Sequence, residues 1–478
     1  MPRRIRSRLL PVWRDPEVVF RASFAHAPYA VWLDGGTDAT TGVSVLAAAH
    51  AGTEYVTADA GRGTVTRHEP LGDDEPVTLA VSVFEVLAER LGAAGFGSID
   101  GDPALAGRLG WFGWFGYELG ARLNDVPAAS TETPDAAFLF IDRAIVFDHA
   151  ARRVQLVWCD GDNANRAAAS WADEAAARLL AVDPAPPVDD PRADGADREP
   201  PTVRWRHSPA RYAELIADCQ AAIVRGDAYQ LCLTNRVDVE VRPDPAATYL
   251  RLRASSPSHH GGYLRFGEVA LLSASPEQFL LIGADGVVTT KPMKGTRPRG
   301  HDAVSDEALR DELVGSEKER AENLMIVDLM RNDLGRIAEL GSVSVPSLLD
   351  VEEYAHVHQL VSTVRARIRH PLTALDVVAA AFPAGSMTGA PKRSAMTILH
   401  ELEQGPRGVY SGAFGYLGID GSADLAMVIR SIVLTPTGAS IGTGGGITAL
   451  SVAEEEIEET RVKARALLTT LGAAAPRE

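Results

Sequence analysis

Residues 268–295, EVALLSASPEQFLLIGADGVVTTKPMKG, read as successive short strands with no helical stretch between them. Upstream, YQLCLTNRVDVEVR (229–242) alternates as a strand, and AIVFDHAARRVQLVW (144–158) reads as two strands joined by a turn. GWFGWFGYELG (110–120) is a glycine-spaced aromatic stretch. Helical spacing lies elsewhere. It runs over 167–182, over 208–229 from an N-cap at Ser208 to Gly226, and over 305–339 with a break near Gly315. GAPKRSAMTILHELE (389–403) and AEEEIEETRVKARALLTTL (453–471) supply two more helices. Strands and helices are grouped rather than strictly alternating, which predicts an α+β fold with substantial antiparallel sheet.

The clearest break in composition is DPAPPVDDPRADGADREPP (183–201), which holds almost nothing that could be buried. It divides the chain into an N-terminal region, 1–182, a linker or exposed loop, 183–205, and a C-terminal region, 206–472, in which the chemistry is expected. With 478 residues, 46% of them hydrophobic, the chain can build a large core. A net charge of -17 argues against a nucleic-acid or anionic-membrane partner. The three cysteines, Cys159, Cys219 and Cys232, have no paired or metal-type spacing and point to a reducing compartment. The basic start, MPRRIRSRLLPVW, is followed by no apolar leader segment, and no run is long enough to span a bilayer. A cytoplasmic protein is expected.

Four features of the C-terminal region can carry chemistry. Glu319 and Glu322 are three apart on one expected helix, and Glu456 and Glu459 on another, so each pair shares a helix face. Two such faces brought together suit Mg²⁺, a hard cation that takes oxygen ligands, although glutamate-rich faces are ordinarily just solvated. Consecutive glycines after a strand, in IGTGGGITALS (441–451), can expose backbone N–H groups to an anion, and a bulged turn explains them equally well. In FPAGSMTGAPKRSAM (382–396), hydroxyls and N–H groups precede a helix start, where they can bind a carboxylate or simply cap the helix. Arg430, in LAMVIRSIVL, is the only charge within an apolar strand pattern and needs a carboxylate partner, structural or ligand. Lys294, before a Gly-Thr turn and two arginines, can be a solvated charge, a counter-ion or a nucleophile. Together these features describe a site for a small polyanionic metabolite bound through Mg²⁺.

ASPEQFL, KPMKGTRPRG, KERAENLMIVDLMRNDLGR, HQLVSTV, FPAGSMTGAPK, RGVYSGAFGY and GTGGGI…EEIEETRVKA occur in the order found in the chorismate-utilising enzymes. The chain resembles that family strongly over about 206–470 and loosely before it, through WLDGG and GWFGYELG. The resemblance implies large sheets forming a two-layer core with helices outside. It also implies Mg²⁺ ligation by Glu322 and Glu459, supported by Glu319 and Glu456. Chorismate would be held by Gly295, Thr296, Ser386, Tyr410, Arg430, the Gly444–Gly446 run (with Gly445 between) and Lys463. Glu277 matches a carboxylate near the leaving C4 hydroxyl.

Two positions distinguish branches of the family. Members that add water carry a lysine base where this chain has Gln230, and members that form anthranilate have alanine where it has Lys294. A lysine there resembles the branch that aminates chorismate at C4 and uses it as a nucleophile. Attack requires the neutral amine, so burial or Arg297 is expected to lower its pKa. Competent residues at these positions weigh against a non-catalytic binding relative. Three departures stand out. Gln359 replaces the usual histidine, with His358 one residue earlier, and Gly35 stands where relatives that bind tryptophan have serine. No cysteine sits in the Gly-x-Cys-x-Gly turn of a glutaminase, so ammonia is expected from a separate glutamine amidotransferase subunit.

Overall fold

The computed structural model describes residues 4–91, 107–160, 165–183, 200–354 and 357–473. Most of the expected linker, 184–199, falls outside them. The short strands join into two large sheets, each 12-stranded among the described residues, and their strands pair antiparallel. In the first sheet, Tyr29–Asp34 pairs with His260–Phe266, and Val269–Ser275, Ser431–Thr435, Gly438–Ile447 and Gln230–Val239 follow in order. In the second, Gly110–Phe115 pairs with Ala413–Gly418, and beyond it lie Ala423–Met427, Gln278–Ile282, Val287–Thr290, Val357–Arg367 and Met293–Pro298. Strands from before and after the linker therefore sit side by side in both sheets.

The period of two along each strand shows how the layers stack. In the first sheet Val31, Leu264 and Leu271 face the second, where they meet residues such as Trp114, Phe138 and Phe414 in one apolar cluster. Their neighbours Trp32, Tyr263 and Leu272 point the other way, into a second cluster covered by helices Pro16–Ser23, Pro245–Ser255 and Ala453–Thr470. Burial on both faces explains why VALLSA reads as a continuous apolar run rather than an alternation. The two-layer core with helices outside is as expected.

Local signals hold where chain chemistry dictates them. Ser208 caps Pro209–Val224 by accepting from Arg211 N, and Gly226 follows the helix with φ +84°. The long acidic helix breaks at Ser316, one residue from the expected Gly315. Ser316 is extended and caps Glu317–Gly335 by accepting from Glu319 N. Two expectations are corrected. The glycine run lies inside strand Gly438–Ile447 rather than after it, with Gly444, Gly445 and Gly446 paired to Thr234, Leu233 and Cys232, so ladder bonding and not a free loop sets its geometry. Arg430 is not within a strand. It occupies a left-handed bend, φ +50°, between Ala423–Met427 and Ser431–Thr435.

Candidate active site

Helices Glu317–Gly335 and Ala453–Thr470, strand Met293–Pro298 and the glycine strand enclose a cavity of about 930 Å³. Every residue singled out from the sequence as catalytic, substrate-binding or metal-binding lines it.

Lys294 reaches this cavity because its strand bulges. Met293 pairs with Val361 and Thr296 with Gln359, so Lys294 and Gly295 stand opposite a single residue, and Gly295 takes φ +81°. A Cβ on Gly446 would collide with Gln230 Nε2 and lie 3.3 Å from Lys294 Nζ, so the glycine strand makes room for the lysine. Lys294 Nζ is 3.4 Å from Glu322 Oε2. Burial favours its neutral amine, but Glu322, then Cys232, Glu277 and Glu459, outweigh burial and raise its pKa. The expected lowering is thus not found. Arg297 is turned to Glu312 (3.1 Å) and Glu319 (3.8 Å).

Glu277 follows Val269–Ser275 and accepts a hydrogen bond from Ser386 Oγ at 2.9 Å. Burial pushes its carboxyl up, against the pull of Ser386, Lys294 and Lys463, so it holds a proton more readily than an ordinary glutamate. Ser386 lies in the turn Gly385–Met387 and caps nothing. Helix Lys392–Glu403 has Pro391 at its N-cap and no side-chain cap.

Each of the four glutamates faces a cation or hydroxyl. Glu459 meets Lys463 at 2.6 Å, Glu319 faces Arg297, and Glu456 takes Ser451 Oγ at 2.8 Å and Lys318 at 3.4 Å. Among the described residues no three His, Cys, Asp or Glu side chains converge as a metal cluster. The donor set nevertheless fits a hard divalent cation, because all four are carboxylates and two carry like-charge strain. Burial and Glu322 raise Glu319, while burial, with Glu459, raises Glu456. Glu459 is lowered, Lys463 overcoming its burial.

Another part of the lining is opposite in sign. Arg430 is exposed to the cavity and makes no ion pair within 4 Å among the described residues, the Glu459 carboxylate acting on it only at longer range. Tyr410 packs against Gly442, where any Cβ would strike its ring, and burial keeps it a phenol. Lys463 also donates to Gly444 O at 2.7 Å. Gln359 lines the cavity, whereas His358 is fully buried on Asp306 at 2.9 Å and does not line it. Sequence reasoning missed Cys232, Met293, Met387 and Lys318 as lining residues. Only Lys318 carried a signal, beside Glu319 in KERAEN.

Residues 26–469 match the family model of the chorismate binding enzymes. The chain belongs to that family. Among curated chorismate-binding relatives, it is 42% identical to an aminodeoxychorismate synthase of Streptomyces pristinaespiralis over 96% of this chain and 64% of the relative. With the Streptomyces griseus aminodeoxychorismate synthase it shares 43% identity over 99% of this chain and 65% of the relative. The chain thus spans a little less than two thirds of those relatives. Anthranilate synthase component I from Streptococcus pneumoniae superposes with a TM-score of 0.72 at 30% identity, covering 90% of this chain and 92% of that one.

Proposed function

We propose that this chain is component I of an aminodeoxychorismate synthase, which aminates chorismate at C4 to 4-amino-4-deoxychorismate, toward 4-aminobenzoate and folate. The observation that carries the proposal is Lys294, bulged into a cavity that also holds Glu277, whose carboxyl burial pushes up, and Arg430, which makes no ion pair within 4 Å among the described residues. Once its ammonium has lost a proton to solvent, Lys294 Nζ attacks C2 of the ring, both ring double bonds shift, and the C4 hydroxyl leaves as water with a proton from Glu277. Ammonia then adds at C4 and expels the lysine. Arg430 and the backbone around Gly295 and Gly444–Gly446 hold the substrate carboxylates. Glu322 and Glu459, with Glu319 and Glu456, would hold Mg²⁺, which when bound supplies positive charge against a substrate carboxylate.

Ammonia comes from a separate glutaminase subunit. Cys159, Cys219 and Cys232 are all buried, and burial raises the thiols of Cys219 and Cys232, the opposite of what a nucleophilic cysteine needs. No helix among the described residues is long and apolar enough to cross a membrane, and we place the protein in the cytoplasm on the unpaired spacing of its cysteines along the chain. Amination at C2 to anthranilate is the second reading, favoured by the Streptococcus pneumoniae likeness and opposed by Lys294. Product mass separates them. The purified chain with chorismate, Mg²⁺ and ammonium should yield aminodeoxychorismate, and with glutamine alone it should yield nothing. Anthranilate as the product would overturn the proposal.

A further inference from the structure

Tyr117 and Glu118, in the stretch GWFGYELG, line no part of the cavity, yet both fasten the chain next to it. Tyr117 N donates to Gly408 O (2.9 Å), and Glu118 accepts from Arg407 N (2.8 Å) and Gly408 N (2.9 Å). The Arg407 side chain lies 4.2 Å over the Tyr117 ring and is 1% exposed. Its guanidinium uses all its N–H directions. Nε and Nη2 donate to the Glu403 carboxylate (2.8 and 2.7 Å), Nη1 to Met387 O (2.7 Å) and Ser411 Oγ (3.3 Å), and Nη2 also to Cys232 O (2.9 Å). Glu403, 3% exposed, further accepts from Thr234 N at 2.9 Å.

Apart from Glu403, the three groups bound by Arg407 belong to three walls of the cavity. Met387 follows Ser386, the donor to Glu277. Ser411 follows Tyr410 and sits at φ +64°. Cys232 pairs with Gly446, beside Lys294. An apolar residue at 407 would take this donor from two buried carbonyls and from Glu403 Oε2, and lysine, with three donors on one nitrogen, cannot span the same fork.

We propose that Arg407, braced by Glu403, is a positioning residue of the active site. It locks the Ser386–Met387 turn, the Tyr410–Ser411 bend and the Cys232 strand to one another and thereby aims Ser386 at Glu277. The kinetic part of this inference rests on the amination proposed above, while the clamp itself does not. In Arg407→Lys, amide exchange is expected to speed up in peptides covering 384–390 and 408–413 and to stay unchanged in Glu317–Gly335. The kcat for aminodeoxychorismate should fall at least about tenfold while the chorismate KM moves less than about threefold. Because Arg407 acts through Ser386, Arg407→Lys combined with Ser386→Ala should be little slower than the worse single variant. Unchanged exchange in the two peptides, or kinetic losses that multiply, would overturn the proposal. Should Arg407→Lys fail to fold, Glu403→Gln carries the same measurements. If the wild type makes no aminodeoxychorismate, the functional reading falls and amide exchange alone decides the clamp.

Discussion

Glu118 gives the fold a pH dependence whose size can be worked out. Its carboxyl is 4% exposed, and burial, reinforced by Asp135, pushes it up to about 7 in spite of the bonds it accepts from Arg407 N and Gly408 N. In the unfolded chain it returns to near 4.5. Between those values the folded chain holds a proton that the unfolded chain has released. Stability from this group is therefore present at low pH and lost as pH rises through about 7. A gap of about 2.5 pH units at about 1.4 kcal/mol each amounts to about 3.5 kcal/mol. Glu118→Gln cannot titrate, and its single acceptor oxygen leaves one backbone N–H poorly matched, at a cost of about 1 kcal/mol. In denaturant melts from pH 4 to pH 8 the variant should begin less stable than wild type and overtake it, the difference shifting by about 3 kcal/mol. Parallel pH profiles for the two proteins would refute the reasoning, because a group that titrates alike in both states contributes no slope.

Two further outcomes follow from the cavity. Ser386→Ala removes the hydrogen bond to Glu277, worth about 1.4 kcal/mol or about tenfold in rate, and should lower kcat more than it raises the chorismate KM in steady-state assays. Arg430→Ala removes the guanidinium exposed to the cavity and should raise the chorismate KM about thirtyfold, a loss of about 2 kcal/mol, with circular dichroism unchanged.

What the sequence shows and what it hides divide along physical lines. Local periodicity and capping are written in adjacent residues, so strands such as Val269–Ser275, the Ser208 helix start and a helix break near Gly315 are readable directly. Lys294, Arg430 and the glutamate pairs are chemically conspicuous, Glu277 is reached only through the family resemblance, and the cavity gathers them all. Nothing local says that Gly444–Gly446 pair within a strand or that Arg430 sits in a left-handed bend, because each depends on partners distant in the chain. The raised pKa of Lys294 is equally hidden. It comes from Glu322 and Glu459 on two helices whose convergence the sequence does not express. Arg407 and Glu403 look like an ordinary i,i+4 helix-end pair, and only burial reveals their reach.

If Lys294 is the nucleophile, it must bond to the substrate before ammonia arrives. Wild type and Lys294→Ala should be incubated with chorismate and Mg²⁺ without ammonium, quenched, digested and weighed. A nucleophilic Lys294 predicts a mass gain of chorismate less water on the wild-type peptide that contains it, none in the variant, and a variant unable to form aminodeoxychorismate once ammonium is added. A variant that aminates chorismate at the wild-type rate would contradict it and leave Lys294 as a counter-ion.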